Sequence, residues 1–324
     1  MSTYSQIFGG KVNVLASDPS NPINGQVWYN STSKVLKFSQ ANVAAAWASG
    51  GNLGTARYTL GGAGTQTAGL AFGGYTTTNQ SATEEYDGSA WTAGGTMGTA
   101  RQGLAGAGTQ TSGLGFGGFA TTLSTATEEY DGSAWTGGGN LGTARYFLAG
   151  CGTQTAGLAF GGKTTVVVTN TEEYDGTSWT AGGTMGTARR AQGGAGTQTV
   201  GLTFGGNTTS VGITNVANTE EYDGSAWTAG GSLNTARRGL GGAGTQTVGL
   251  GFGGSITASV ANTEEYNGTS WTSGGTMTTA RDYLAGCGTQ TAGLAFGGTA
   301  GGLRAATEEY NGPGFQTTKT VTAT

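Results

Sequence analysis

The tripeptide Thr-Ala-Arg recurs at residues 55, 99, 143, 187, 235 and 279, a spacing of 44 residues that lengthens once to 48. Self-similarity at this period means that one small unit is written six times, and such a unit buries its apolar face only by stacking on its neighbours. The 324 residues therefore describe an array before they describe a number of domains. The extra length of the long interval lies in NTTSVGITNVAN, residues 207–218.

Residues 101–135 serve as the type unit. Four short runs are separated by glycine-containing turns, and none has a 3.6-residue apolar period long enough for a helix. The runs are QGLAGAG (a), SGLGFGG (b), ATEEYDG (c) and the stretch from SAW onward (d). Asp-Gly or Asn-Gly stands between c and d, the pair that predicts a two-residue hairpin with positive φ. Each unit thus reads as a four-stranded meander, and six of them cover one another in a line or a ring; a ring of such sheets is a β-propeller. Glycine, 67 residues, is about three times as frequent as usual. Without a Gly-X-Y period and with only three prolines, neither collagen nor Pro-rich disorder fits, so the glycines belong to turns and close packing.

The succession GLAFGG, TEEYDGSAW, GTMGTAR resembles the kelch repeat: a double glycine closing the second strand, a tyrosine in the third, a tryptophan in the fourth, and an arginine opening the next blade. The resemblance covers residues 55–315 and implies a propeller with Tyr and Trp between neighbouring sheets. It departs from kelch in the short step from Tyr86 to Trp91, and in placing Phe315 where the last copy should have tryptophan.

Residues 1–50 also read as strands: QVWYN, KVLKFS and AAAWASGG, with YSQIFGGKVNVLAS upstream as a fourth. Phe38 and Trp47 match the roles of Tyr86 and Trp91. The six copies in 51–324 each contain four strands, so the N-terminus is not needed to complete the last. The preferred expectation is an all-β, kelch-like propeller of seven blades with a diverged N-terminal blade; the alternative is six blades plus an N-terminal β adaptor. NGQVWYNSTSKVLKF followed by AAAW resembles the hairpin common near the N-termini of bacteriophage tail and fibre proteins, which implies a virion protein released by host lysis. The first residues, MSTYSQIFGGKVNVLAS, carry neither a Sec signal nor a membrane span, and no membrane insertion is expected.

The chain has no histidine, which excludes Ser-His-Asp and Cys-His nucleophile systems and most zinc and copper sites. No catalytic residue, metal or cofactor is expected. Paired carboxylates can hydrolyse glycosides, but all twelve glutamates lie in the six TEEY phrases, from Glu84 and Glu85 to Glu308 and Glu309. Their repetition assigns one glutamate per unit to the recurrent arginine: Arg57, Arg101, Arg145, Arg189, Arg237 or Arg281. A net charge of −4 offers no bulk attraction to nucleic acid. The Gly-rich GGAGTQT lacks a following helix and a GKS/GKT sequence, so it is not a phosphate loop. Cys151 and Cys287 replace the same alanine of strand a in separate units and are expected to be buried and unlinked.

In a meander the d-to-a and b-to-c connections emerge on one side and the a-to-b and c-to-d turns on the other. The second side is nearly constant among the six copies. The first varies: Tyr58, Gln102, Tyr146 with Phe147, Arg190, Arg238, and Asp282 with Tyr283 follow the arginines, and Tyr75, Phe119, Lys163, Asn207, Ser255 and Thr299 follow the double glycines. Aromatic and arginine side chains anchor recognition surfaces, so this side is the candidate binding face. The expected function is a non-enzymatic tail-fibre or baseplate protein of a tailed phage, with other tail proteins and a host-surface glycan as partners; oligomerisation is compatible with it. The alternatives are a cellular kelch scaffold that binds protein and a carbohydrate-active propeller enzyme.

Overall fold

The computed structural model describes residues 12–19, 26–41, 44–313 and 316–320. It divides into two compact units, residues 46–310 and a second made of 1–45 with 311–324.

The larger unit is a β-propeller of six blades. Blade 1 runs as Gly61–Gly64, Gly69–Phe72, Thr83–Tyr86 and Trp91–Ala93, each strand antiparallel to the last. The next four sheets repeat this order. The innermost strands neighbour one another in sequence, and Ala285–Gly288 of blade 6 returns to Gly61–Gly64 of blade 1, which closes the ring. Among the described residues there are seven four-stranded sheets, of which the ring takes six.

Closure uses the other end of the chain. Blade 6 consists of Ala285–Gly288, Ala292–Phe296, Thr307–Asn311 and, as its outer strand, Ala46–Ser49. The expectation that the last copy is complete by itself is therefore corrected: it supplies three strands. Beyond Gly312 the chain meets Pro313, which has no N–H to donate to a ladder, and Gln316–Thr320 pairs instead with Val35–Ala41 of the smaller unit. Trp47 fills the tryptophan position of blade 6; Phe315, given that role above, lies outside the described residues.

Three side-chain circuits tie the blades together, and the repeated phrase supplies all of them. The tryptophan indole of each blade donates to the threonine of the preceding TEEY, as in Trp135 to Thr83 and Trp47 to Thr263, both 2.8 Å. The same ring lies on the preceding blade's phenylalanine, Trp135 on Phe72 at 4.9 Å and Trp47 on Phe252 at 5.0 Å. Each TEEY tyrosine hydroxyl donates to the second glutamate of the preceding blade, Tyr174 to Glu129 and Tyr86 to Glu309 at 2.6 Å. Burial, then this bond, pushes both phenols up to about 12. Each glutamine of GTQT donates to two carbonyls of the preceding blade, Gln110 to Gly69 at 3.1 Å and Tyr86 at 2.6 Å.

The first glutamate of each TEEY meets its arginine within the blade. The distances are 2.8 Å for Arg57–Glu84, 2.9 Å for Arg101–Glu128, 3.1 Å for Arg145–Glu172, 2.6 Å for Arg189–Glu220 and 3.2 Å for Arg281–Glu308; Arg237–Glu264 completes the set. Every one of these arginines is 0% exposed. The second carboxylate oxygen holds the linker from the preceding blade, accepting Gly98 N–H at Glu128 and Gly142 N–H at Glu172, both 2.6 Å.

Glycine is required where the inner strands converge on the axis. A Cβ on Gly106 would stand 2.5 Å from the carbonyl oxygen of Gly62 in the neighbouring blade. The c-to-d connection differs from the two-residue hairpin expected. Four residues, 87–90, intervene, closed by Asp87 Oδ1 accepting the Ser89 and Ala90 amides at 2.8 Å, and Gly88 takes φ +90°. Cys151 and Cys287 are buried and unlinked, and burial pushes both thiols up to about 12.

In the smaller unit Asn13–Leu15, Val27–Asn30, Val35–Ala41 and Gln316–Thr320 form a sheet whose first pair is parallel, unlike any blade. Of the proposed upstream strand YSQIFGGKVNVLAS, residues 4–11 lie outside the described residues. Asp18 organises the hairpin, accepting from the buried Trp28 indole at 3.1 Å and from Asn30 at 2.8 Å, and pairing with Lys37 at 2.7 Å. These bonds, that of Lys37 foremost, hold its carboxyl down to about 2. Asn30 Oδ1 in turn accepts the Thr32 and Ser33 amides and fixes the turn.

Candidate functional site

On the variable side each blade extends its ladder by isolated bridges that join its two connections. The residue after the arginine bridges the residue after the double glycine: Tyr58 with Tyr75, Gln102 with Phe119, Tyr146 with Lys163, Arg190 with Asn207, Arg238 with Ser255, and Asp282 with Thr299. The candidate binding residues from the two kinds of connection are thereby brought together in pairs.

The next residue turns towards the axis. Thr59, Gly103, Phe147, Ala191, Gly239 and Tyr283 all have φ between +50° and +62°. Their backbones form a closed circuit of six hydrogen bonds, in which Gly103 N donates to Thr59 O at 2.8 Å, Phe147 N to Gly103 O at 2.7 Å, and so on until Thr59 N reaches Tyr283 O at 2.9 Å. Glycine adopts this conformation without penalty, whereas a bulky side chain there is strained. Two blades use glycine. Blades 3 and 6 instead hold Phe147 and Tyr283, and because these blades face each other in a ring of six, the two rings meet across the axis at 5.5 Å.

From this pair the contacts run outward both ways. Tyr283 touches Tyr58 at 6.4 Å and Tyr58 touches Tyr75 at 5.7 Å; Phe147 touches Tyr146 at 4.6 Å and Tyr146 touches Phe119 at 6.0 Å. Six half-buried aromatic rings thus cross the face in one unbroken line. Lys163 Nζ stands 6.0 Å from the Tyr146 ring and donates to Ser210 O at 2.8 Å. Burial and the neighbouring Tyr75 and Tyr283 phenols raise the Tyr58 phenol above its usual range.

Arg190, Arg238 and Asp282 stand apart from the aromatic line on the polar connections of blades 4, 5 and 6. Arg190 Nε donates to Thr209 O at 3.1 Å, and Arg238 Nη1 to Asn215 Oδ1 at 3.3 Å. Asp282 is 8% exposed, accepts from Ser259 at 3.1 Å, and is raised above the usual carboxylate range by burial. Gln102 Oε1 accepts from the Thr59 hydroxyl at 3.5 Å.

Three residues of the mouth escaped the sequence reading. Thr59 and Ala191 belong to the backbone circuit, and Gln192 is the exception in the layer beneath it, a cavity of about 90 Å³ whose other five equivalents are Leu60, Leu104, Leu148, Leu240 and Leu284. Gln192 donates to Phe160 O at 2.9 Å, and its Oε1 has no partner among the described residues. The signal lies in RRAQGG, residues 189–194, where glutamine breaks the RYTLGG and RYFLAG pattern.

No protein-family profile matches the chain. No curated protein matches it either. Among solved structures, one titled "Structure of YjhT" is similar, with a TM-score of 0.65 over 81% of this chain and 96% of that one. At 12% identity this likeness shows the fold alone.

Proposed function

We propose that the chain is a non-enzymatic structural protein of a tailed-bacteriophage virion, a fibre or baseplate component, in which a kelch-type propeller recognises a host-surface glycan through its variable side. The observation that carries this reading is the unbroken aromatic line, whose two central rings are kept in a left-handed backbone conformation that glycine occupies in blades 2 and 5. The conformation belongs to the backbone circuit, since Thr59 and Ala191 share it, but its two bulkiest occupants are aromatic and meet over the axis, which points to use of those side chains. The constant residues support the same division of labour. Six glutamates are engaged by buried arginines and six by tyrosine hydroxyls, as Glu172 is by Arg145 and Glu129 by Tyr174. That engagement favours binding over glycoside hydrolysis. The virion assignment rests on the resemblance of residues 24–47 to phage tail hairpins, and other tail proteins are the partners it implies. Antibody against the chain should decorate the tails of phage particles in electron micrographs. Label confined to cellular material would reject the virion assignment.

A further inference from the structure

We infer that the glycan taken by the variable side is acidic, a polysaccharide chain bearing carboxylates that lies over the aromatic line and meets the cations beside it. This deepens the reading of that side as a recognition surface and rests on it.

The first observation is where the cations are. In residues 46–310 six arginines are consumed by the buried ion pairs, and four cations remain: Lys163, Arg190, Arg238 and Arg304. All four lie in d-to-a or b-to-c connections, on the variable side, and none forms an ion pair within 4 Å among the described residues; the one carboxylate of these connections, Asp282, is close enough to Arg238 to feel its charge. The exposed aspartates of the constant turns, Asp87, Asp131, Asp175 and Asp223, lie on the opposite side. A chain of net charge −4 thus carries four cations against one carboxylate on the side where its aromatic side chains gather, with Lys163 over the Tyr146 ring and the arginines on the connections beside the line.

The second observation is how those cations are held. Arg190 is anchored by Nε alone, so its two terminal nitrogens are unclaimed among the described residues. Arg238 engages Asn215 and the Ile256 carbonyl through one terminal nitrogen, leaving the other. A guanidinium with free terminal N–H groups is a planar fork suited to a carboxylate. Between them, the Asn215 amide and the Arg190–Asn207 ladder keep both forks in place at the surface.

The aromatic geometry favours a glycan over a single-stranded nucleic acid. Neighbouring rings of the line touch one another at 4.6–6.4 Å, mostly tilted or edge-on, so no slot between them admits a base. A ligand must lie across the line, as the apolar faces of sugar rings can. Four cations on an acidic chain also fall short of the phosphate neutralisation on which nucleic-acid affinity depends.

The test uses the full chain and immobilised polygalacturonate, alginate and hyaluronate, each beside its carboxyl-reduced, neutral counterpart. Retention by at least one acidic polymer is expected, weakened about tenfold or more by carboxyl reduction and to a similar degree by Arg190→Gln with Arg238→Gln. Tyr146→Ser with Phe147→Ser should weaken binding to acidic and reduced polymers alike. Equal binding of the reduced polymer would overturn the charge inference while leaving a glycan-binding face in place. Retention by none of the six polymers, or tighter binding of single-stranded DNA, would overturn it as well. Phage attachment that survives loss of the aromatic line would count instead against the recognition reading itself.

Discussion

Arg145→Ala is expected to remove about 3–5 kcal/mol of stability, because it leaves Glu172 buried without its countercharge. At about 2 °C per kcal/mol for a chain of this size, the melting temperature should fall by roughly 6–10 °C. The arginine does more than neutralise. It donates to the carbonyls of Asn170 at 2.6 Å, Gly161 at 3.1 Å and Ala159 at 3.3 Å, all acceptors that lose a partner in the variant. Burial lowers its guanidinium to about 10, which still leaves it charged at neutral pH, so the ion pair is intact under ordinary conditions. Arg145→Met combined with Glu172→Leu removes both charges and should recover the part of the loss that comes from the unpaired carboxylate, but not the part from the three carbonyls and the Gly142 N–H left without partners. A melt of Arg145→Ala indistinguishable from that of the parent would mean that the six arginines are not structural.

The second large effect is expected at Trp47, which lies in the one blade built from both ends of the ring. Its side chain is 9% exposed, packs on Phe252 and Tyr310 at 5.0 Å each, and donates to Thr263 at 2.8 Å. Trp→Ala at a buried site costs about 3–5 kcal/mol. Here the loss falls on the contact that joins the outer strand of blade 6 to blade 5, so limited proteolysis should cut first between Trp47 and Arg57 as that strand detaches. Denaturant unfolding of Trp47→Ala at the parent's midpoint would contradict closure by the N-terminal strand.

The strands of five blades were legible because their pattern is written six times over, each run bounded by turn residues. The source of the sixth blade's outer strand was legible too, though in a different place. Trp47 precedes Arg57 by ten residues, as Trp91 precedes Arg101 and Trp135 precedes Arg145. Reading units from the arginine onward cuts between a blade's outer strand and the linker it feeds, and so hides this. What the sequence could not display were bonds between blades. Gln110 reads as a turn residue until the preceding blade puts the Gly69 and Tyr86 carbonyls against it. The second glutamates looked idle for the same reason.

The candidate site was found by asking where six copies disagree, which works because loops free of packing vary and core positions do not. Variation among the copies marks Tyr58, Tyr75, Phe119, Tyr146, Phe147 and Tyr283 but does not reveal their contact. Phe147 and Tyr283 are three repeats apart, and whether such residues face each other depends on the number of blades. In a ring of seven no two blades are directly opposed; in the ring of six these two are, and their side chains meet over the axis.

The central claim is a division of labour, with constant residues holding the ring and variable residues meeting a partner. Replacing Tyr146, Phe147 and Tyr283 together by serine tests it most directly, with the melting temperature and the attachment of particles to host cells measured on the same variant. The account predicts a melt within about 2 °C of the parent, as for surface substitutions, and loss of attachment. Attachment at the parental level, or a collapse of the melt comparable to that of Arg145→Ala, would contradict it.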